Sequence, residues 1–543
     1  MRPSRNIAAK AVTFAVLAGI LASAPAFAQF FDPTLQSLGL ASDVSRSPRL
    51  LGMGSLSLTV PDVHQRISLW DFAHNPVGIG PEDTTTTFEV WPGTASAASA
   101  YEQEPGLVTS SGGFREDLAG RSSTLPWELI HRDGEGNAYG IVGTVGSVQL
   151  DRPYSELVEN RSTVSHPSAL PFVSGPLPWF GLKKLHYAIS MLAGKEQVST
   201  TYREVVQNEG GTFINLNGET VIPPDLFRPT DYDVRTLGIG ASASYPIGAS
   251  HVFAIGAGQR GDRIIGTDER SRSSSELRES RPTNEGQATL IGRLGKSIEY
   301  GVDGHGWTAK SQQNWVFTTS SGSGVPPLAG RGKYLERDAR GTSLNSHVRI
   351  TSGKLEYDGQ VWTSWSKVEL TPPDASDKSS FNRFLTTVYY RVGADTLSLP
   401  DSVVANTQND HAMGYGFGAS WRLRKGIAGV EYHWSRDAFD QVVSGAGPRR
   451  LAWDVRGGVE WQCNEILTGR LGAGFGWWDD DDYTRGNEYT SRTGSLGLGL
   501  HPKGSRWNFD AGYSLSWTNS DYGDPLGRHG SRQQLQSLVH WSF

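Results

Sequence analysis

Between residues 451 and 517 apolar and polar residues take turns one by one, in runs about as long as a bilayer is thick. Leu451, Trp453, Val455, Val459 and Trp461 alternate with Asp454, Arg456, Gly458, Glu460 and Gln462. Leu467, Leu471, Ala473, Phe475 and Trp477 alternate with Thr468, Arg470 and glycines. Trp507, Phe509, Ala511, Tyr513, Leu515 and Trp517 alternate with Asn508, Asp510, Gly512, Ser514 and Ser516. A period of two marks a strand with one apolar and one polar face. Strands in soluble sheets average about five or six residues. These runs reach about 10–12, the length a tilted strand needs to cross hydrocarbon. Lipid cannot hydrogen-bond to an open strand edge, so only closure into a barrel satisfies such strands there. The pattern confines the chain to an all-β transmembrane antiparallel β-barrel. Only 37% of the residues are apolar, which fits a barrel with a wet lumen better than a chain built round a large core.

The last eleven residues, QQLQSLVHWSF, repeat the pattern. Leu535, Val539, Trp541 and Phe543 fall on one face, with small Ser537 among them. Gln534, Gln536, His540 and Ser542 fall on the other, with Leu538 as the one apolar residue there. A final Phe on an alternating strand resembles the terminal insertion signal of bacterial outer-membrane barrels. That resemblance implies the barrel-assembly machinery as a partner.

The connections alternate in length. Short ones are Arg424-Lys425-Gly426, Cys463-Asn464-Glu465 and His501-Pro502-Lys503-Gly504. Further turns are expected near Thr351–Lys354, Gly295–Ser297, Pro246–Ser250, Gly181–Lys184 and Asp133–Asn137. Long polar loops are expected at 92–123, 150–170, 195–233, 262–284, 310–339, 368–410, 437–449, 478–488 and 519–532. Short periplasmic turns and long outer loops are the asymmetry of such barrels. The spacing predicts about 18 strands; 14 or 16 are the alternatives, because the first third is less periodic. Tryptophans sort to both strand ends, with Trp421, Trp461, Trp507 and Trp541 on the turn side and Trp434, Trp453, Trp477 and Trp517 on the loop side. Indole has an apolar body and one N–H donor, so two girdles at the lipid–water interfaces are expected.

Arg2, Arg5 and Lys10, the short apolar run Ala11–Ala24 and the small-x-small site Ala26-Phe27-Ala28 form an export signal over residues 1–28. Its removal takes three positive charges and moves the formal net charge from −6 to −9. That balance argues against nucleic acid as a partner. After residue 28 no run of about 18 apolar residues marks a membrane helix. The single Cys463 has no partner for an internal disulfide. Export plus barrel places the protein in the outer membrane of a Gram-negative bacterium.

Residues 29–83 do not alternate, and Pro48, Pro61 and Pro76 interrupt any regular element. Leu50, Met53, Leu56, Leu58 and Val60 suit a compact unit. We therefore expect a signal peptide at 1–28, an N-terminal plug at 29–83 and the barrel at 84–543. Arg49, Met53, Gly54, Asp62 and the closing Asn75-Pro76-x-Gly78 resemble the N-terminal hatch of the FadL family of outer-membrane hydrophobic-compound channels. The resemblance implies a segment folded back inside the barrel, with Trp70, Phe72, Asn75, Pro76 and Gly78 as its gating residues. Val77 stands where that family has Ala, the run Leu69-Trp70-Asp71-Phe72 is inserted, and the family's barrels are smaller. A generic periplasmic plug is the alternative.

Asp479, Asp480, Asp481 and Asp482 form a carboxylate run able to hold Ca²⁺, or Mg²⁺ bridging to lipopolysaccharide. They lack the ligand spacing of a calcium loop, and a solvated loop tip is the ordinary reading. Glu431, Asp454, Arg456, Glu460, Arg470 and Asp510 fall on the inward face. Their mixed sign argues against a strong ion filter; they either tune the pore or pair with one another. There is no Gly-x-Ser-x-Gly and no HExxH, so nothing points to an enzyme or a cofactor. The stretch 368–410 carries Phe381-Asn382-Arg383-Phe384-Leu385 and Val388-Tyr389-Tyr390, either a greasy landing site or a small packed cluster. The sequence points to an outer-membrane channel for passive uptake of small hydrophobic molecules, in contact with lipid and lipopolysaccharide. A structural or secretion-associated barrel is the alternative.

Overall fold

The computed structural model describes residues 47–60, 85–102, 115–133, 135–155, 158–165, 167–177, 184–202, 206–207, 213–214, 231–248, 250–270, 273–319, 328–371, 406–441, 449–482, 485–521 and 528–543. Among the described residues one short helix, α1 (Pro48–Gly52), precedes the strands. These are β1 (Thr85–Val90), β2 (Gly93–Glu102), β3 (Arg115–Arg132), β4 (Ala138–Ser155), β5 (Val158–Ser165), β6 (Ser168–Pro176), β7 (His186–Tyr202), β8 (Val206–Gln207), β9 (Phe213–Ile214), β10 (Asp231–Ile247) and β11 (His251–Arg270). There follow β12 (Ser273–Leu294), β13 (Ile298–Thr319), β14 (Leu328–Ser352), β15 (Leu355–Thr371), β16 (Asn406–Leu423), β17 (Gly426–Gln441), β18 (Arg449–Gln462), β19 (Leu467–Asp482), β20 (Arg485–Leu500), β21 (Trp507–Asp521) and β22 (Arg528–Ser542).

All but the β8–β9 pair belong to one antiparallel sheet of 20 strands. The sheet closes on itself: β22 pairs with β1 and β2, which in turn pair with β3. Two positions in the wall are each shared by two strands. β1 and β2 are separated at Trp91-Pro92, and Pro167 stands just before β6. Proline cannot donate to the ladder, so it divides a strand without ending the run. The barrel therefore has 18 positions, the expected number.

The outward face is apolar. Leu237, Ile239, Val361, Phe417, Leu471 and Leu496 are each between 57% and 63% exposed. The residues that alternate with the outward ones point inward and are polar: Thr236, Glu356, Asp358, Glu431, Arg470 and Ser495 are all buried. In β22 Leu535, Trp541 and Phe543 face out, while Gln534, Gln536 and Leu538 are buried inside. In β21 Ser514 faces inward at 7% exposure, so the lumen side there is packed. Among the tryptophans, Trp421, Trp461, Trp507 and Trp541 are exposed at the turn end. At the other end Trp434, Trp453 and Trp477 stand directly opposite one another across β17, β18 and β19. Tyr415 stacks on Trp434 at 5.2 Å and Trp453 on Trp477 at 6.4 Å between ring centroids.

The expected short turns fall between consecutive strands, except that most of Gly181–Lys184 lies outside the described residues; Gly248, Gly295 and Gly353 adopt positive φ, which glycine takes without strain. At Asp133–Asn137 the Asp133 carboxylate accepts from the N–H groups of Glu135 (3.0 Å) and Asn137 (2.9 Å), tying the turn from within.

The loop boundaries need correction. Most of the expected loop 262–284 is ladder, β11 running to Arg270 and β12 starting at Ser273. The same holds for 150–170, taken up by β4, β5 and β6, and for 478–488, where β19 reaches Asp482 and β20 starts at Arg485. Beyond the bilayer both strand faces meet water, so the hydrophobic alternation stops while the backbone pairing continues.

Candidate functional site

Segment 47–60 lies on the inner wall near the short-turn end. Ser47 caps α1, its hydroxyl accepting from the Arg49 N–H at 3.1 Å, and Pro48 occupies the first turn, where a missing donor costs nothing. Beyond the helix and its cap Met53, Gly54 (φ 78°) and Ser55 (φ 63°) are two residues of positive φ in succession that turn the chain along the wall.

The wall is shaped to receive it. Gly418, Gly429, Gly458, Gly472, Gly497 and Gly512 come from the six consecutive strands β16 to β21, and all face inward. Gly429, Gly458 and Gly472 stand directly opposite one another in the ladder, with Ser495 next in the row. A Cβ at Gly418 would sit 2.5 Å from the Thr59 methyl, and one at Gly429 2.9 Å from the Thr59 hydroxyl. At Gly458 and Gly472 it would overlap the backbone of Met53 and Gly54, and at Gly512 the Pro48 carbonyl. From the other side, a Cβ on Gly52 would come within 2.7 Å of the Gly497 Cα. The segment thus lies backbone to backbone in a trough that no other residue type leaves open.

Polar groups fix it lengthwise. Glu431, 1% exposed, accepts from the N–H groups of Ser57 (3.0 Å), Leu58 (2.7 Å) and Thr59 (2.6 Å) and from the Thr59 hydroxyl (2.9 Å). His433 Nε2 lies 3.0 Å from the same carboxylate. A buried charge is tolerable when this fully bonded. Arg49 grips Glu460 with two guanidinium nitrogens, at 2.8 and 2.9 Å. Arg470 shares that carboxylate at 2.8 Å and reaches Asp510 at 2.5 Å. Gly54 N–H donates to the Ser495 hydroxyl at 2.8 Å, and that hydroxyl donates to the Gly52 carbonyl. Arg456 and Arg349 donate to the carbonyls of Ser55 (3.2 Å) and Leu58 (3.1 Å). Leu50, Met53, Leu56 and Val60 bury their side chains as one cluster, with Ile427 against it.

Elsewhere on the inner wall the chemistry changes. Ile130, Ala138, Val142, Leu170, Phe172 and Leu192 of β3, β4, β6 and β7 form an inward-facing apolar cluster. Phe172 stands opposite Gly140, and a Cβ there would meet its ring at 2.6 Å. The lumen therefore has an ionic arc that carries the segment and an apolar arc that does not.

Of the sequence-derived candidates, Arg49, Met53 and Gly54 come together in the trough. The inward charges Glu431, Arg456, Glu460, Arg470 and Asp510 pair with one another or hold the segment. Asp62 and the gating candidates Trp70, Phe72, Asn75, Pro76 and Gly78 lie outside the described residues, as do residues 1–46 and Phe381–Tyr390. Asp479–Asp482 are not a loop tip: they end β19, with Asp480 opposite Arg450 and Asp481 opposite Arg449. The described residues contain no group of His, Cys, Asp or Glu able to hold a metal. Phe543 donates its N–H to the Thr86 carbonyl, so the last residue stitches β22 to β1. Sequence reasoning missed the glycine trough, Ser495 and Arg349. The available signal was an inward glycine on each of six successive strands.

No protein-family model matches the sequence, and no curated protein does. Solved structures match most of it at low identity. A FadL homologue of Pseudomonas aeruginosa covers 91% of this chain and 98% of its own, at 11% identity and a TM-score of 0.33. The Pseudomonas putida toluene transporter TodX covers 92% and 98%, at 10% and 0.37. The Acinetobacter baumannii siderophore receptor PiuA covers 83% and 82%, at 10% and 0.42. With TM-scores of 0.33 to 0.42, these matches leave the fold to rest on the chain's own ladder.

Proposed function

We propose that the protein is an outer-membrane channel for passive uptake of small hydrophobic molecules, with its N-terminal segment as the plug. The trough carries this reading. A barrel wall with six glycines reserved for one segment, and a buried Glu431 that the segment satisfies, is built to hold that segment inside. The bonds that hold it are hydrogen bonds and ion pairs, each of which water can replace, so release leaves a folded barrel. The resemblance of Arg49, Met53 and Gly54 to the hatch of hydrophobic-compound channels supports a hydrophobic solute. The test is deletion of residues 29–80, with Asn75→Ala as the local variant. Reconstituted vesicles should show faster uptake of hydrophobic probes, while the barrel keeps its heat-modifiable migration. If neither variant changes the passage of any solute, the plug is no gate and the assembly reading moves ahead.

The ionic arc favours a second reading, uptake of small polar solutes. Gln287 and Thr289 donate to Asp303 at 2.7 and 2.6 Å on the inward face, a lining that suits hydrated molecules. Sugars or amino acids outpacing hydrophobic probes in the plug-deleted barrel would select it.

A further inference from the structure

The outward face of β12 to β15 carries a groove of about 410 Å³. Gly286 and Gly306 form its floor, and Thr342 and Trp365 its wall. These glycines differ from those of the trough. A Cβ on Gly286 or Gly306 would meet no protein atom closer than 3.9 or 3.8 Å. Nothing in the barrel requires their small size, and the space they leave faces lipid. Below the groove the surface is apolar, with Val302, Leu344 and Val361 all exposed.

The upper rim presents Arg340 to the groove. Arg340 lies with its guanidinium carbon 5.9 Å from the centre of the Trp365 ring. It stands directly opposite Lys367, but Lys367 is paired with Glu369 and Lys310 with Asp338, so among the described residues of this rim Arg340 is the cation that has no carboxylate partner. Arg340 is twelve residues above the short turn after Ser352, so a tilted strand raises it about 30 Å. That height is just beyond an apolar band of about 25 Å. Trp365, two residues nearer the turn, falls at the interface, where indole belongs.

We propose that this groove binds one anionic lipid of the outer leaflet. An acyl chain lies over Gly286 and Gly306, and a headgroup phosphate meets Arg340. The order of the parts fits only a lipid whose head points toward the long-connection end. The inference rests on the membrane reading with short turns on the periplasmic side.

The test uses the full-length mature protein in detergent. Native mass spectrometry would compare phosphorylated lipid A, its dephosphorylated form and a zwitterionic phospholipid. The wild type should retain phosphorylated lipid A in preference to the other two. Arg340→Ala, which removes the charged donor, and Gly306→Leu, which fills the floor without a clash, should each weaken retention about tenfold or more. Insertion into vesicles is read in parallel. A barrel that inserts but binds all three lipids alike, or whose two variants bind as the wild type does, overturns the lipid site alone. A chain that does not insert overturns the membrane reading and the site with it.

Discussion

The sharpest consequence of the trough concerns Gly472, where a single methyl group opposes the segment's backbone. In Gly472→Ala the added Cβ falls on Gly54 N and the Met53 carbonyl carbon. Neither is the end of a flexible side chain, so the segment must lift. Overpacking of this kind costs about 1–3 kcal/mol. The barrel strand itself gains from the exchange, because Gly in a strand interior is worth about 0.5–1 kcal/mol less than Ala. The penalty therefore falls on docking and spares the wall. At about 1.4 kcal/mol per tenfold, the undocked population should rise about five- to 150-fold. Lifting first breaks the 2.8 Å bond from Gly54 N–H to Ser495 and then loosens the three N–H groups held by Glu431. Hydrogen exchange at Ser57, Leu58 and Thr59 should accelerate by that factor, with heat-modifiability unchanged. Gly494→Ala is the control, since a Cβ there meets nothing within 4 Å. Equal exchange at residues 57–59 in the two variants would refute the trough.

Glu431→Ala removes the acceptor for four donors of the segment and should raise single-channel conductance or its open fraction in planar bilayers. Glu431→Gln, which keeps an acceptor oxygen, should fall between the two. Val361, 62% exposed and six residues above Leu355, faces lipid near mid-membrane, so Val361→Arg should cost about 2–4 kcal/mol in reversible folding into vesicles. Gln360→Arg points into the lumen and should cost about 1 kcal/mol or less; equal costs would mean that the strand's faces are misassigned. Phe543→Asp should sharply lower the amount of heat-modifiable barrel in outer-membrane fractions; normal levels would leave the closing contact with Thr86 as that residue's only role.

Alternation between Leu451 and Trp517 determined by itself that the chain is a membrane barrel. It assigned each residue of those strands to lipid or lumen, because period two is a property of the strand backbone and needs no partner. Turn residues and spacing then pointed to about 18 strands, whereas the two wall positions that proline divides read as loop and were visible only in the ladder. The same logic failed where its physical basis ends. Outside the bilayer both strand faces meet water, so β11 and β12 read as loop although their ladder continues to Arg270 and Ser273. The trough lay equally beyond a linear reading. Glycines in a strand pattern signal a bulge or a close approach, but what approaches Gly429, Gly458 and Gly472 is a segment some 370 to 420 positions away in the chain. Glu431 and Glu460 read only as inward charges of undecided use. Closure of the barrel decided that use, by bringing both beside Arg49 and Thr59 in a space where a carboxylate must find donors.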